Sequence, residues 1–111
     1  MAMTPEVKVK KVVVKHLNSV GAYYFYPVTG GFGASGVPDI VGCYKGKFFG
    51  IECKAGKNKP TALQFQNLMK ITATGGISLV VNEENMNDVL TLIGADDGNS
   101  TQTKQLPRSN T

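Results

Sequence analysis

The sequence predicts an α/β domain with the element order αβββαβα, a small mixed β-sheet flanked by helices. Three observations carry that prediction. Apolar residues recur at helical spacing in Val9, Val13, Leu17 and Val20, and again in Met86, Val89, Leu90 and Ile93. Two β-rich runs, Val37–Tyr44 and Lys47–Lys54, meet around Lys45-Gly46, the pattern of a β-hairpin. A continuous apolar run, Ile77–Val81, follows another helical stretch. The chain has 111 residues, 41% of them hydrophobic and 18% charged, which suits one packed domain and not a disordered polyelectrolyte.

The elements follow in order. Thr4 is placed to cap the first helix, Pro5 suits its first position, and Glu6 suits the positive end of its dipole. Gly21 stops it. Glu6 precedes Val9 by three residues and so lies in line with the buried stripe, whereas Lys8, Lys11 and Lys15 occupy the other sides. The aromatic run Ala22–Tyr26 reads as a strand, and Pro27–Gly36, with four glycines, as a loop. After the hairpin, Pro60-Thr61 opens a second helix that Gly75-Gly76 ends, and Thr61 to Gln64 has the form of a capping box. Ile77–Val81 is expected to be central and covered on both faces, and Glu83–Ile93 to form a last helix. From Ala95 onward the chain turns polar, so residues 1–94 are expected to fold and 95–111 to form a tail.

Several classes of function fall away. The sequence has no run of 18 apolar residues to cross a membrane, and no apolar stretch near Met1 of the kind a secretory leader needs. A cytoplasmic setting is the expectation, with Cys43 and Cys53 as reduced thiols whose strand positions fall out of register for a disulfide. One His and two Cys are too few for a structural zinc site. Gly31, Gly33 and Gly36 match a dinucleotide fingerprint in spacing, but a strand follows them instead of a helix, so no nucleotide cofactor is expected.

Charge is uneven along the chain. The net charge is +4, yet residues 1–60 hold nine Lys against only Glu6, Asp39 and Glu52. Asp39 belongs to the first hairpin run, and Glu52 and Lys54 to the second. Strand alternation puts Glu52 and Lys54 on one face, expected to be wet, and Ile51 and Cys53 on the other. Pairing about Lys45-Gly46 brings Asp39 beside Glu52, with cross-strand Cβ atoms about 4.5–5.5 Å apart. Two carboxylates so close repel, and a hard divalent cation, Mg²⁺ or Mn²⁺, relieves them. A backbone carbonyl near Cys53 offers a third oxygen. Lys54 can orient or deprotonate a water and steady charge building on phosphorus, so the set suits phosphodiester hydrolysis.

Pro38-Asp39 followed by Glu52-Cys53-Lys54 resembles the PD-(D/E)xK nuclease signature. With Gly36-Val37-Pro38-Asp39-Ile40, Gly50-Ile51-Glu52-Cys53-Lys54-Ala55 and Thr61-Ala62-Leu63-Gln64, the likeness narrows to the stand-alone, phage-type VRR-Nuc domain and covers residues 4–93. The resemblance implies a nuclease core that needs Mg²⁺ or Mn²⁺. It implies Asp39 and Glu52 as the metal-binding acids, Glu6 as the helix-borne acid, Lys54 as the catalytic lysine, and Gln64, or Gln66 by a shift of two, as the supporting glutamine. Stand-alone members are similar to Holliday-junction resolvases, so the partners implied are branched or four-way-junction DNA and a second copy of the chain. The competing expectation is a catalytically silent DNA-binding module on the same fold. Bland readings stand beside these: Glu6 as a dipole-stabilising acid, Gln64 as a cap, Lys57 and Lys59 as a solvated basic loop, His16 as a surface residue, and Tyr23, Tyr24 and Tyr26 as sheet core or dimer seam rather than base-stacking groups.

Overall fold

A computed structural model gives the fold for residues 3–28 and 35–95. The order is α1 (Pro5–Ser19), β1 (Tyr23–Phe25), β2 (Ile40–Tyr44), β3 (Lys47–Cys53), α2 (Ala62–Ala73), β4 (Ile77–Val81), a 3₁₀ turn (Met86–Asp88) and α3 (Val89–Leu92). The predicted αβββαβα order therefore holds. The start of α1 forms as its residues dictate: the Thr4 hydroxyl accepts from the Val7 amide at 3.2 Å, and Pro5 opens the helix.

Four strands lie in the order β1-β2-β3-β4. The first three are antiparallel, with Tyr24 opposite Gly42 and Ile40 opposite Ile51. The hairpin turn is Lys45-Gly46, both with positive φ (50° and 83°), the conformation that a two-residue turn between twisted strands demands. β3 and β4 are parallel, and α2 makes the crossover between them.

The core lies on the α1 side of the sheet. Val9, Val13 and Leu17 pack with Ile40, Phe49, Ile51, Cys53 and Val81, and α3 closes the layer with Val89. The other face is covered by α2 over β3 and β4, through Ile71 and the buried Leu68. A Cβ on Gly50 would lie 2.5 Å from Ile71 and 3.1 Å from Pro38, so only glycine lets them close over β3 there. Among the described residues no helix is long and apolar enough to cross a membrane.

Five expectations need correction. Ile77–Val81 is an edge strand among the described residues, not a central one: there it pairs only with β3, and Val80 is 38% exposed. A short apolar run looks alike in both positions, and only the pairing separates them. The face of β3 bearing Glu52 is not wet, because Gly50–Cys53 are all buried between β2, β4 and the two helix layers. Asp39 sits in the bend just before β2, since Pro38 cannot donate to a ladder and delays the strand. The last helix is shorter than Glu83–Ile93, because Asn82 and Asn85 spend their side chains on local turns. Ala95, assigned to the tail, is buried, and its amide donates to the Leu90 carbonyl at 2.7 Å. Residues 96–111 and most of the glycine loop (29–34) lie outside the described residues.

Candidate active site

The hairpin register decides the site. Ile40 opposite Ile51 places the preceding residue, Asp39, alongside the following one, Glu52. Asp39 is fixed there by its own side chain: Oδ2 accepts the Cys53 amide at 2.9 Å, standing in for a ladder bond that the chain before β2 does not make. A carboxylate accepting an amide at this distance is a charge-assisted bond, worth about 1.5–3 kcal/mol. The approach to Asp39 is fixed as well. Gly36 has φ +80°, and a Cβ there would lie 2.7–2.9 Å from the backbone of Leu63 and Gln64, so this glycine lets the segment press onto the start of α2. Asn67 adds a bond from Nδ2 to the Ser35 carbonyl at 3.2 Å.

Glu52 is the only charged residue among the buried ones described, at 1% exposure. Its Oε2 lies 3.5 Å from Lys54 Nζ, but Oε1 is buried with no hydrogen-bond partner. Burial, then the field of Asp39, pushes its pKa from the usual 4.5 to about 7, against the opposing pull of Lys54, with a smaller upward push from Glu6. Leaving a carboxylate oxygen unsatisfied costs a protein on the order of 1–3 kcal/mol, so the orphan marks a group held for something other than stability. Cys53 has its thiol pushed up to about 12, by burial first and Asp39 second, so it behaves as an inert core thiol. Cys43 and Cys53 are both free, and Cys43 is only partly buried.

Glu6, Asp39, Glu52 and Lys54 thus form one electrostatic neighbourhood. Glu6 lines a cavity of about 440 Å³ with Val7, Lys10, Ala55 and Asn58. It acts on Glu52 through its field. Among the described residues no three Asp, Glu, His or Cys side chains gather as a ligand set. The donors on offer are therefore the Asp39 and Glu52 carboxylates and backbone oxygen near Cys53. Gln64 is committed to the capping box: its Oε1 accepts from the Thr61 amide at 2.9 Å, and the Thr61 hydroxyl accepts from the Gln64 amide at 3.2 Å. Gln66 is exposed on α2.

The sequence alone does not point to Glu83. Its carboxylate accepts the Gly56 amide at 2.9 Å, a bond that holds it below the usual carboxylate range. The bond ties the turn after β4 to the loop after Lys54, while the Lys54 amide donates to the Val81 carbonyl at 2.9 Å. No spacing signal could have joined residues 27 apart in sequence.

A solved structure described as a VRR_NUC domain superposes with a TM-score of 0.65 at 17% identity, covering 80% of this chain and 97% of that one. The fold is that of a VRR-Nuc domain. Its helix order and mixed sheet agree with the expected PD-(D/E)xK nuclease core. On the sequence side, the VRR-Nuc-fold chain is 29% identical over 91 residues to the protein named "Putative nuclease p44" from Acyrthosiphon pisum secondary endosymbiont phage 1, spanning 81% of this chain and 96% of that one. No family model matches the chain.

Proposed function

We propose that the protein is a metal-dependent nuclease that hydrolyses phosphodiester bonds in DNA. The VRR-Nuc fold and the nuclease-named phage relative support the class. The observation that carries the reading is the orphaned, buried Glu52 Oε1 beside Asp39. An unpartnered carboxylate oxygen next to a second carboxylate is what a hard cation needs and what a purely structural site avoids.

The residues fit Mg²⁺ or Mn²⁺. Asp39, through the oxygen not spent on Cys53, Glu52 through Oε1, and the Cys53 carbonyl would hold it. The cation would supply Lewis acidity toward the phosphate and a more acidic water. The chain's own groups do the rest. Lys54, kept beside Glu52 and largely shielded from solvent, presents its ammonium to the attacking water or to the phosphate oxygen on which charge builds. Glu52, its pKa raised to about 7 by burial and Asp39, would give up its proton where a cation was held there. Glu6 adds negative potential from the helix start, and Gln64 holds the α2 terminus against which Gly36 rests.

The finer reading is an endodeoxyribonuclease acting on branched or four-way-junction DNA as a homodimer, in a cytoplasmic setting, the host cell's if the gene is a phage's. A two-fold pair would present two such sites to two strands. Part of the α2 face of the sheet is left uncovered, with Tyr23 70%, Phe25 50% and Phe48 45% exposed, a surface suited to a second copy. The test is cleavage of labelled flap, nicked, splayed and four-way DNA with and without Mn²⁺, alongside Asp39→Asn and Glu52→Gln. Metal-dependent nicking that both variants abolish is expected. Full activity in either variant sinks the site, and calorimetry showing no Mn²⁺ uptake by the wild type favours a silent DNA-binding module.

A further inference from the structure

We propose that the lysine-bearing flank of α1 that faces Tyr26 is a track for an unpaired DNA strand leading away from the active site. This rests on the nuclease reading of the site and names the part of the substrate that the chain holds beyond it. Val7, Lys10, Lys11, Val14 and Lys15 recur at three- and four-residue intervals, so they share one flank of α1 beside the buried Val9, Val13 and Leu17, with Val14 packed against the core. They line an open groove of about 640 Å³ whose far wall is Tyr26. Val7 and Lys10 also line the 440 Å³ cavity that contains Glu6, Ala55 and Asn58, so the two spaces lie on either side of these residues. The groove thus lies next to the Glu6 cavity and runs along the helix.

Its chemistry is divided. The cations are three lysines, and no acid lines the groove. The remaining wall is mostly apolar, formed by Val7, Val14 and the ring of Tyr26, itself 49% exposed, with Asn18 at one end. Phosphates on a paired duplex would use the lysines and leave this wall idle. An unpaired strand uses both, its phosphates on the ammonium groups and a base on the wall. The aromatic side is preorganised. Tyr24 donates to Asn18 Oδ1 at 2.8 Å, Tyr24 and Tyr26 make an edge contact at 6.0 Å, and Lys10 Nζ stands 5.7 Å over the Tyr26 ring.

The test measures binding of the full chain, in EDTA, to labelled oligo-dT and to a labelled duplex of equal length across a salt series. Replacing Lys10, Lys11 and Lys15 together by Ala should flatten the slope of log affinity against log salt on oligo-dT by about 2, at roughly 0.7 for each phosphate no longer neutralised. Tyr26→Ala should weaken oligo-dT binding roughly tenfold and leave the duplex unaffected, with Tyr26→Phe restoring the wild-type value. Should the triple variant melt early, Lys11→Glu, at an exposed position, reads the same slope. Oligo-dT affinity unchanged in the lysine variants, or an equal loss for duplex in Tyr26→Ala, overturns the proposal. If the wild type cuts no DNA in Mn²⁺ while these losses appear, the nuclease reading fails and the track stands.

Discussion

The two ends of the β2–β3 hairpin carry charge in opposite circumstances. At the turn, Lys45 and Lys47 stand in water, and Lys45 rests over the Tyr44 ring at 5.5 Å. At the open end, Asp39 is half-buried, Glu52 is sealed in with one oxygen unpartnered, and Lys54 is 13% exposed by its side chain. Both ends look polar in sequence. Water screens the first pair of charges and leaves them nearly free of consequence. Exclusion of water from the second couples three groups and moves one pKa to about 7. Burial of charge, rather than its presence, separates the site from the surface.

The sharpest way to break the contrast is Glu52→Gln. It keeps the shape and removes the buried charge, so activity should fall roughly 10³-fold while the unliganded protein melts no lower at pH 8 than the wild type. Turnover assays and thermal melts read the two together, and a melt that drops as activity falls would make Glu52 a stabilising group. Asp39→Ala should cost about 1.5–3 kcal/mol in a denaturant titration by removing the acceptor for the Cys53 amide, whereas Asp39→Asn keeps an acceptor and loses mainly activity.

The pH dependence has a fixed sign. The folded pKa of Glu52 is raised from 4.5 to about 7, so its stabilising contribution is complete below about 4.5 and is lost as pH rises through about 7. In EDTA, stability should fall over that window by on the order of 3 kcal/mol from this group, at 1.36 kcal/mol per pKa unit. Melts at pH 5.5 and 8 check this. Mn²⁺ should raise the melting temperature more at pH 8, and Glu52→Gln should flatten both responses. Smaller still, Gly36→Ala should cost about 2 kcal/mol, from its positive φ and its contact with the Leu63 backbone. Lys47→Ala at the turn should stay within about 0.5 kcal/mol in a denaturant melt and leave turnover unaltered.

Much of this was legible in the residues. Thr4-Pro5-Glu6 opened α1, Thr61 to Gln64 formed the capping box of α2, and Lys45-Gly46 set a register that put Asp39 by Glu52. Those features are local, and their signals lie within a few residues of each other. What escaped was set by distant neighbours. The edge position of β4 depends on which strand it pairs with. The sealing of Glu52 depends on β4 and on Pro38, Gly50 and Ile71 meeting around β3. The Glu83–Gly56 bond joins two loops that no periodicity connects.

The Asp39–Cys53 bond spans only 14 residues and closes with the hairpin, so the two acids become neighbours early as the chain grows. The dry surroundings that perturb Glu52 come later, because β4, with Val80 opposite Glu52, follows the whole of α2. The pairing of the two acids is thus local in sequence, whereas the burial that perturbs Glu52 needs the chain as far as β4.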